Sequence, residues 1–317
     1  MTVSAAPIQN DDGDDFAGEA RTMAQLVLDN LFEHRMAVAG IWVISIFVVT
    51  ALGADVIAKL TQLDPNAQDL LGRYGPWSRD HWLGTDEIGR DVFIRLIYGG
   101  RISLLVAFSS ATAAMLIGVA VGSVAGYFGG FWDTALMRLT DSLLALPLIP
   151  IMIILAAIDF GKIPGLASLL GGEDSRILKM ILIFTLFSWM TQARLVRGAI
   201  LSIREQEYIF AARISGMRHS QIIFEEMLPN VLSPVIVSVT LAVGQAILFE
   251  AALSFLGLGI QPPMASWGNM LNSALEVIYN SPSLVALPGF LIFLVVVSFN
   301  FAGDGLQEAL DPKTIRR

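Results

Sequence analysis

Six apolar runs, separated by polar segments, set the plan of this chain. Met36–Ala54, Ile102–Trp132, Ser142–Ile158, Met227–Phe249 and Val277–Gly303 carry no charged residue, and Ile177–Ala193 carries only Lys179. About 20 apolar residues cross a bilayer as helix, so the pattern predicts an all-α membrane protein with six transmembrane helices. The remaining organisation follows from the gaps. Residues 1–35 form an N-terminal tail, 36–57 the first span, 58–101 a long loop, 102–303 a five-helix core and 304–317 a C-terminal tail. Arg194–Pro229 is the polar interlude inside that core.

Six spans put both termini on one side. Arg138, the interlude's Arg194, Arg197, Arg204, Arg213 and Arg218, and Lys313, Arg316 and Arg317 fall on that side, against Lys162, Arg176 and Lys179 in the short loops opposite. The positive-inside rule therefore places both termini and the interlude in the cytoplasm. Loop 58–101 also holds basic residues, but long loops translocate with less regard for charge. In the second span Ala114, Gly118, Gly122 and Gly126 recur at helical spacing, a pattern that lets helix backbones approach closely in lipid. Pro147 and Pro150 predict a kink in the third span, because each removes a backbone donor. Lys179 is expected to snorkel to the interface.

Composition agrees with a membrane protein: 55% of residues are apolar and 15% charged, with a mean hydropathy of +0.65. Soluble domains carry about 25% charge. A net charge of −8 argues against nucleic acid as a partner. There is no cysteine, and His34, His81 and His219 are scattered, so no metal site is read. The acidic first twenty residues lack the basic start and apolar core of a signal peptide and read as a disordered cytoplasmic tail.

Within the interlude, Glu205–Ser215 predicts a short helix ended by Gly216 in a left-handed conformation. Ser220 is placed to cap a second short helix towards Met227. Tyr208, Ala211, Ala212 and Ser215 share one face of the first helix, which suits either a partner's groove or the lipid headgroups. Near the second span, Asp86/Arg90 and Asp91/Arg95 are i,i+4 pairs beside an apolar stripe of Val92, Phe93, Leu96 and Ile97. They predict an interfacial helix, either a structural elbow or a docking surface. Glu250, at the end of a long apolar run, is expected to face protein or water, at a subunit interface or along a pathway. Asp141 is expected to pair with Arg138, and Asp304 to end the last span.

The interlude resembles the EAA loop of ABC importer permeases, matching at Ala211, Ala212, Gly216, Leu228 and Pro229. It departs at Phe210, where a glutamate is expected, and at Glu226, where an isoleucine is expected; Glu207, one turn earlier, offers a carboxylate. HWLGTDEIGRDVFIRLIYGGRISL (81–104), EAALSFLGLGIQPPMASWGNML (250–271) and FNFAGDGLQEALDPK (299–313) resemble further segments of the same group, most nearly the second, C-type permease of dipeptide, oligopeptide and nickel importers.

The resemblance implies a type I permease fold with a cytoplasmic coupling helix, in a bacterial inner membrane. It makes Glu207, Tyr208, Ala211, Ala212, Gly216, Leu228 and Pro229 the ATPase-coupling loop, and Asp86, Arg90 and Asp91 candidates for docking a binding protein. Implied partners are a second homologous permease, two ABC ATPase subunits and an extracytoplasmic substrate-binding protein. ATP and Mg belong to the ATPase subunits. No G-x-x-x-x-G-K-[ST] loop is present, and Gly161-Lys162-Ile163 lacks its other residues. No catalytic residue is assigned. Dipeptides, longer peptides, glutathione-like peptides and nickel chelates all remain open as cargo. An ion-coupled secondary transporter is the rival class, but no internal repeat stands out and the charges gather at span ends. A membrane enzyme is disfavoured by the lack of a nucleophile or acid–base constellation.

Overall fold

A computed structural model describes residues 23–160, 175–272, 274–279 and 281–310. The acidic segment 1–20, Gly161-Lys162-Ile163, and Lys313, Arg316 and Arg317 lie outside the described residues. Among the described residues the chain is helical, with one isolated antiparallel bridge between Thr85 and Asp91.

Helix α1 (Met23–Glu33) precedes α2 (Arg35–Leu52), whose first turn is capped by His34 Nδ1 accepting from the Ala37 amide at 3.0 Å. Gly53 interrupts the helix, and α3 (Ala54–Thr61) follows. Asp55 fastens α3 to the next helix by accepting from Tyr98 Oη at 2.8 Å and Arg101 at 2.9 Å. That next helix, α4 (Val92–Phe128), has 37 residues, or about 55 Å at 1.5 Å per residue. It starts well before the uncharged run, so the interfacial helix expected before the second span is the first part of α4 itself.

The predicted kink is a full break. Helices α5 (Gly130–Leu144) and α6 (Leu148–Ala157) meet at 82°. Pro147 is the N-cap of α6 and Pro150 lies in its first turn, where amides have no intrahelical acceptor to lose. Helix α7 (Ser175–Arg204) is longer than its apolar run. Lys179, at its start, donates to the carbonyls of Ala156 and Ile158 at the end of α6, so its charge completes a helix C-terminus. After the interlude come α10 (Leu228–Phe255), the short α11 (Ala274–Val277) and α12 (Ser283–Ala309). Asp304 lies inside α12 and does not end the last span.

Among the described residues, four helical segments are long and apolar enough to cross a membrane, Arg35–Leu52, Val92–Phe128, His219–Phe255 and Ser283–Ala309, and five if the bent α5–α6 pair is one span. The sixth predicted span is α7, with 30 residues. It is long enough but falls short in apolar character because it carries Lys179, Arg194 and Arg197.

Among the described residues the most extensive helix contact runs between α4 and α7, and the predicted small-residue stripe makes it. A Cβ on Gly118 would stand 2.4 Å from Gln192 Cβ, one on Gly122 2.6 Å from the Ala193 carbonyl, and one on Gly126 2.7 Å from Ile200 Cγ2. Only glycine allows backbones this close. At one end of the bundle Leu195 of α7, Ser233 of α10 and Gln307 of α12 surround a common hollow, and Gly305 lies against Ala37. At the other end, the start of α4 faces residues 261–272 and Leu284.

Gly122→Val should force α4 and α7 apart and cost about 1–3 kcal/mol, in the range of core overpacking. Gly198→Ala, whose Cβ would meet no atom within 4 Å, serves as the control. Thermal unfolding of the purified protein in detergent reads the difference. Equal transitions for the two variants would contradict this account of the seam.

Candidate functional site

The interlude folds onto the first of these ends. Helix α8 is Glu207–Ile214, with extended Gln206 as its N-cap, so it starts two residues later than predicted. Gly216 takes φ +78° as expected, and the Met217 amide reaches back to the Ala212 carbonyl at 3.2 Å. The second helix is α9 (His219–Gln221), continued by a π-helical turn, Ile222–Met227, that runs into α10. Its cap position is Arg218, whose amide donates to the Gln221 side chain at 3.3 Å; Ser220 lies within the helix.

The predicted small-residue face of α8 divides in two. Ala212 turns inward with Ile209, into an apolar cluster with Tyr127, Ile200, Ile222, Met227 and Val231. Tyr208, Ala211 and Ser215 stay exposed, joined by Phe210 and by Ile214, which is 87% exposed. Ile214 is the most prominent apolar side chain of the helix, and the motif did not single it out. Glu207 is exposed in the first turn, where a carboxylate suits the helix dipole. Leu228 is half-buried and Pro229 exposed at the start of α10. Asn230 Nδ2 donates to the Glu226 carbonyl at 2.7 Å and to Tyr208 Oη at 3.4 Å, which ties α8 to α10.

Beneath the loop, the ends of α4, α5 and α7 are joined by charge. Arg197 forms a two-pronged pair with Asp133, one contact at 2.7 Å. Arg204 donates to the Gly126 carbonyl at 3.2 Å. Asp141 pairs with Arg194 at 2.5 Å, not with Arg138 one turn away, because α5 lies alongside α7, as the Asp133–Arg197 pair also shows.

At the opposite end, Asp86, Arg90 and Asp91 are buried. Asp86 accepts from the amides of Ile88 and Arg90 at 3.0 and 2.9 Å and from Arg90 Nε at 2.7 Å, with Arg95 Nε at 3.5 Å. The predicted Asp91/Arg95 pair does not form. Asp91 caps α4 through the Ile94 amide at 3.0 Å and meets His81 Nδ1 at 2.9 Å, while Arg95 donates to the Pro65 carbonyl at 3.1 Å. Residues 86–90 form a turn, so helical spacing does not apply to them. These side chains satisfy one another and fix an elbow. They also wall a cavity of about 260 Å³, closed on its other side by Gln261, Asn269 and Asn272.

Glu250 is fully buried and lines no surface of this chain. Its carboxylate accepts from Ser103 Oγ of α4 at 2.8 Å and from Ser254 Oγ at 2.7 Å. The two hydroxyls in turn accept from the Trp267 amide at 3.3 Å and the Ile260 amide at 3.0 Å. Trp267 Nε1 donates to the Leu96 carbonyl at 2.9 Å. One carboxylate thus joins α4, α10 and the 257–268 loop. The signal for this network in the sequence is Glu250 itself, at the end of an apolar run; Ser103 and Ser254 carry none.

Between the two ends lies a hollow of about 340 Å³, bounded by the α5–α6 elbow, by Phe187, Thr191 and Gln192 of α7 and by Ser238 and Gln245 of α10. Gln192 and Ser238 hydrogen-bond across it. None of these polar residues forms part of a motif; their signal is an uncharged polar side chain within an apolar run.

The described features fit what comparison with known proteins finds. The profile of a family described as binding-protein-dependent transport system inner membrane component matches residues 118–316, and that of the N-terminal TM domain of oligopeptide transport permease C matches residues 22–76. The chain is 42% identical over 283 residues to the dipeptide transport system permease protein DppC of Alkalihalophilus pseudofirmus, covering 89% of this chain and 88% of that one. It is 35% identical over 280 residues to the oligopeptide transport system permease protein OppC of Bacillus subtilis, covering 88% and 86%. It is 37% identical over 283 residues to the glutathione transport system permease protein GsiD of Pectobacterium atrosepticum, covering 89% and 88%.

Glu250→Ala should leave buried serine hydroxyls without their acceptor, at about 1–3 kcal/mol for each group left unsatisfied. Glu250→Gln keeps the shape and one acceptor and should cost less. Limited proteolysis of the 257–268 loop in membranes would show it: cleavage of the alanine variant alone is expected, and equal resistance of both would rule out a stapling role.

Proposed function

This chain belongs to the family of inner-membrane components of binding-protein-dependent transport systems, and on that premise we propose that it is the C-type permease subunit of an ATP-driven importer for di- or oligopeptides. It is a multi-pass transport subunit and not an enzyme. With a second homologous permease it forms the pathway, and two separate ATPase subunits, which bind ATP and Mg, drive it. The observation that carries this reading is α8. It is a short helix anchored by Ile209 and Ala212, with an exposed outer face of Tyr208, Phe210, Ala211 and Ile214, in a chain with no phosphate-cradling loop of its own. A helix so presented suits a groove on a partner.

The excess of arginine in the short loops on its side assigns α8 and both termini to the cytoplasm, and leaves the elbow at residues 81–95 facing the binding protein. Closure of the ATPase pair would displace α8, and the α4–α7 seam would carry that displacement as rigid-body motion between inward- and outward-open states. The hollow beside Gln192, Ser238 and Gln245 offers amide and hydroxyl groups without charge. Such groups pair with peptide groups whatever the side chains of the cargo. Dipeptide and oligopeptide transport in the relatives' names supports that cargo class. The glutathione name attached to one relative keeps a modified tripeptide as the second reading.

Ile214→Asp and Gly216→Pro should each lower ATP-dependent peptide uptake about tenfold, the effect of roughly 1.4 kcal/mol, while the protein still inserts. Ala212→Phe should do the same by pushing α8 off its apolar seat. Uptake by proteoliposomes containing the whole complex is the measurement. Normal uptake in all three variants, or uptake by this chain under a proton gradient without ATPase subunits, would defeat the reading.

A further inference from the structure

Phe210 is the residue of the loop that the family pattern leaves unexplained, since it stands where a glutamate is expected. The structure gives it a partner. Arg213, one turn on, holds its guanidinium 6.0 Å from the Phe210 ring centroid and 5.3 Å from that of Tyr127. Tyr127 is buried near the end of α4, and its hydroxyl meets His219 Nδ1, the first residue of α9, at 2.7 Å. The His219 ring also packs edge-on against Tyr127 and Phe128, with centroids 5.6 and 5.9 Å apart. A continuous contact therefore runs from the exposed face of α8 to the end of α4 with no carboxylate in it.

The physical case turns on what resists sliding. On its own backbone α8 can hinge at extended Gln206 and at left-handed Gly216. Burial of Ile209 and Ala212 holds α8 down, but apolar burial is non-directional and opposes separation more than lateral displacement. The Tyr127–His219 bond and the cation–π contacts of Arg213 with the two rings are directional. An arginine–glutamate pair at the surface would be screened and loosely held; a ring at position 210 offers Arg213 a cation–π contact instead, at 6.0 Å from its centroid.

We propose that Phe210, Arg213, Tyr127 and His219 form the linkage that makes α8 and the end of α4 move as one body, with Tyr127 and His219 as positioning residues. The proposal rests on the docking role of α8 given above. It assigns to Phe210 the task of holding Arg213 against Tyr127, so that a displacement imposed on α8 reaches the glycine seam without slippage.

The natural chain has no cysteine, so spin labels can be placed at Ala120→Cys on α4 and Ser215→Cys after α8, both exposed positions. The complete complex, with its second permease and ATPase subunits in nanodiscs, is then measured by pulsed electron paramagnetic resonance with and without Mg-ATP and vanadate. The expected result is one narrow distance, the same in both states. Tyr127→Phe and Phe210→Leu should make that distance broaden or shift on trapping, and Phe210→Tyr, which keeps the ring, should not. Phe210 is half-exposed, so leucine there leaves the core intact. A native distance that changes on trapping, or a distance that stays fixed in both loss variants, would overturn the linkage. A complex that lacks the ATPase subunits or does not hydrolyse ATP would overturn the docking reading, and is told apart by assaying composition and hydrolysis on the same samples.

Discussion

The fold depends on how closely two helices can approach in lipid. Lipid tails are as apolar as leucine, so helices gain little from hiding apolar side chains from them, and close packing has to supply the attraction. Gly118, Gly122 and Gly126 remove side chains from one stripe of α4, and the backbone of α7 from Trp189 to Arg197 takes their place. The position of α7 then settles much else. Its Arg194 and Arg197 meet Asp141 and Asp133 of α5, and its Arg204 closes on the end of α4. The loop that follows is delivered onto the same end. Helix α8 is thus built on one end of the seam, where a displacement has something stiff to act on.

The same low-dielectric surroundings explain why the large polar residues of the spans are engaged, although the buried hydroxyl of Ser123 in α4 has no partner. An unpaired polar group in an apolar medium costs several kcal/mol. Glu250 is met by two serine hydroxyls that are themselves used by backbone amides, Lys179 by the last carbonyls of α6, and Gln192 by Ser238. Apart from Glu250–Ser254, which lies within α10, each of these contacts joins different helices or a helix to a loop. They act as registry pins in a bundle whose apolar packing alone would tolerate sliding. Asp86, Arg90, Arg95 and Asp91 play that part at the head of α4, where they turn the chain into the long helix.

Much of this was legible in the residues. Uncharged runs located the spans to within a few residues for α2 and α10, Gly216 marked the left-handed stop, and the glycine stripe marked a close seam. The misreadings share a cause. Asp91/Arg95 and Arg138/Asp141 are close in sequence and so read as pairs, yet Asp91 serves as an N-cap and Asp141 meets Arg194 because α5 lies along α7. Ala212 matched a motif of small residues, but the turn of α8 relative to the bundle sent it inward and left Ile214 outside. Helical spacing shows which residues share a face; it does not show which way that face points.

The sequence by itself determined the class of the protein, the approximate places of its spans and the presence of an arginine-rich loop between two of them, because those follow from apolar length, charge and glycine spacing along one chain. Its motifs also carried the family. Tertiary structure alone decided the partners of its buried charges, the outer face of α8 and the contacts of Arg213 with Phe210 and Tyr127. These depend on side chains distant in sequence, Ser103 with Glu250, Arg197 with Asp133, Tyr127 with His219, whose meeting is set by how the helices cross.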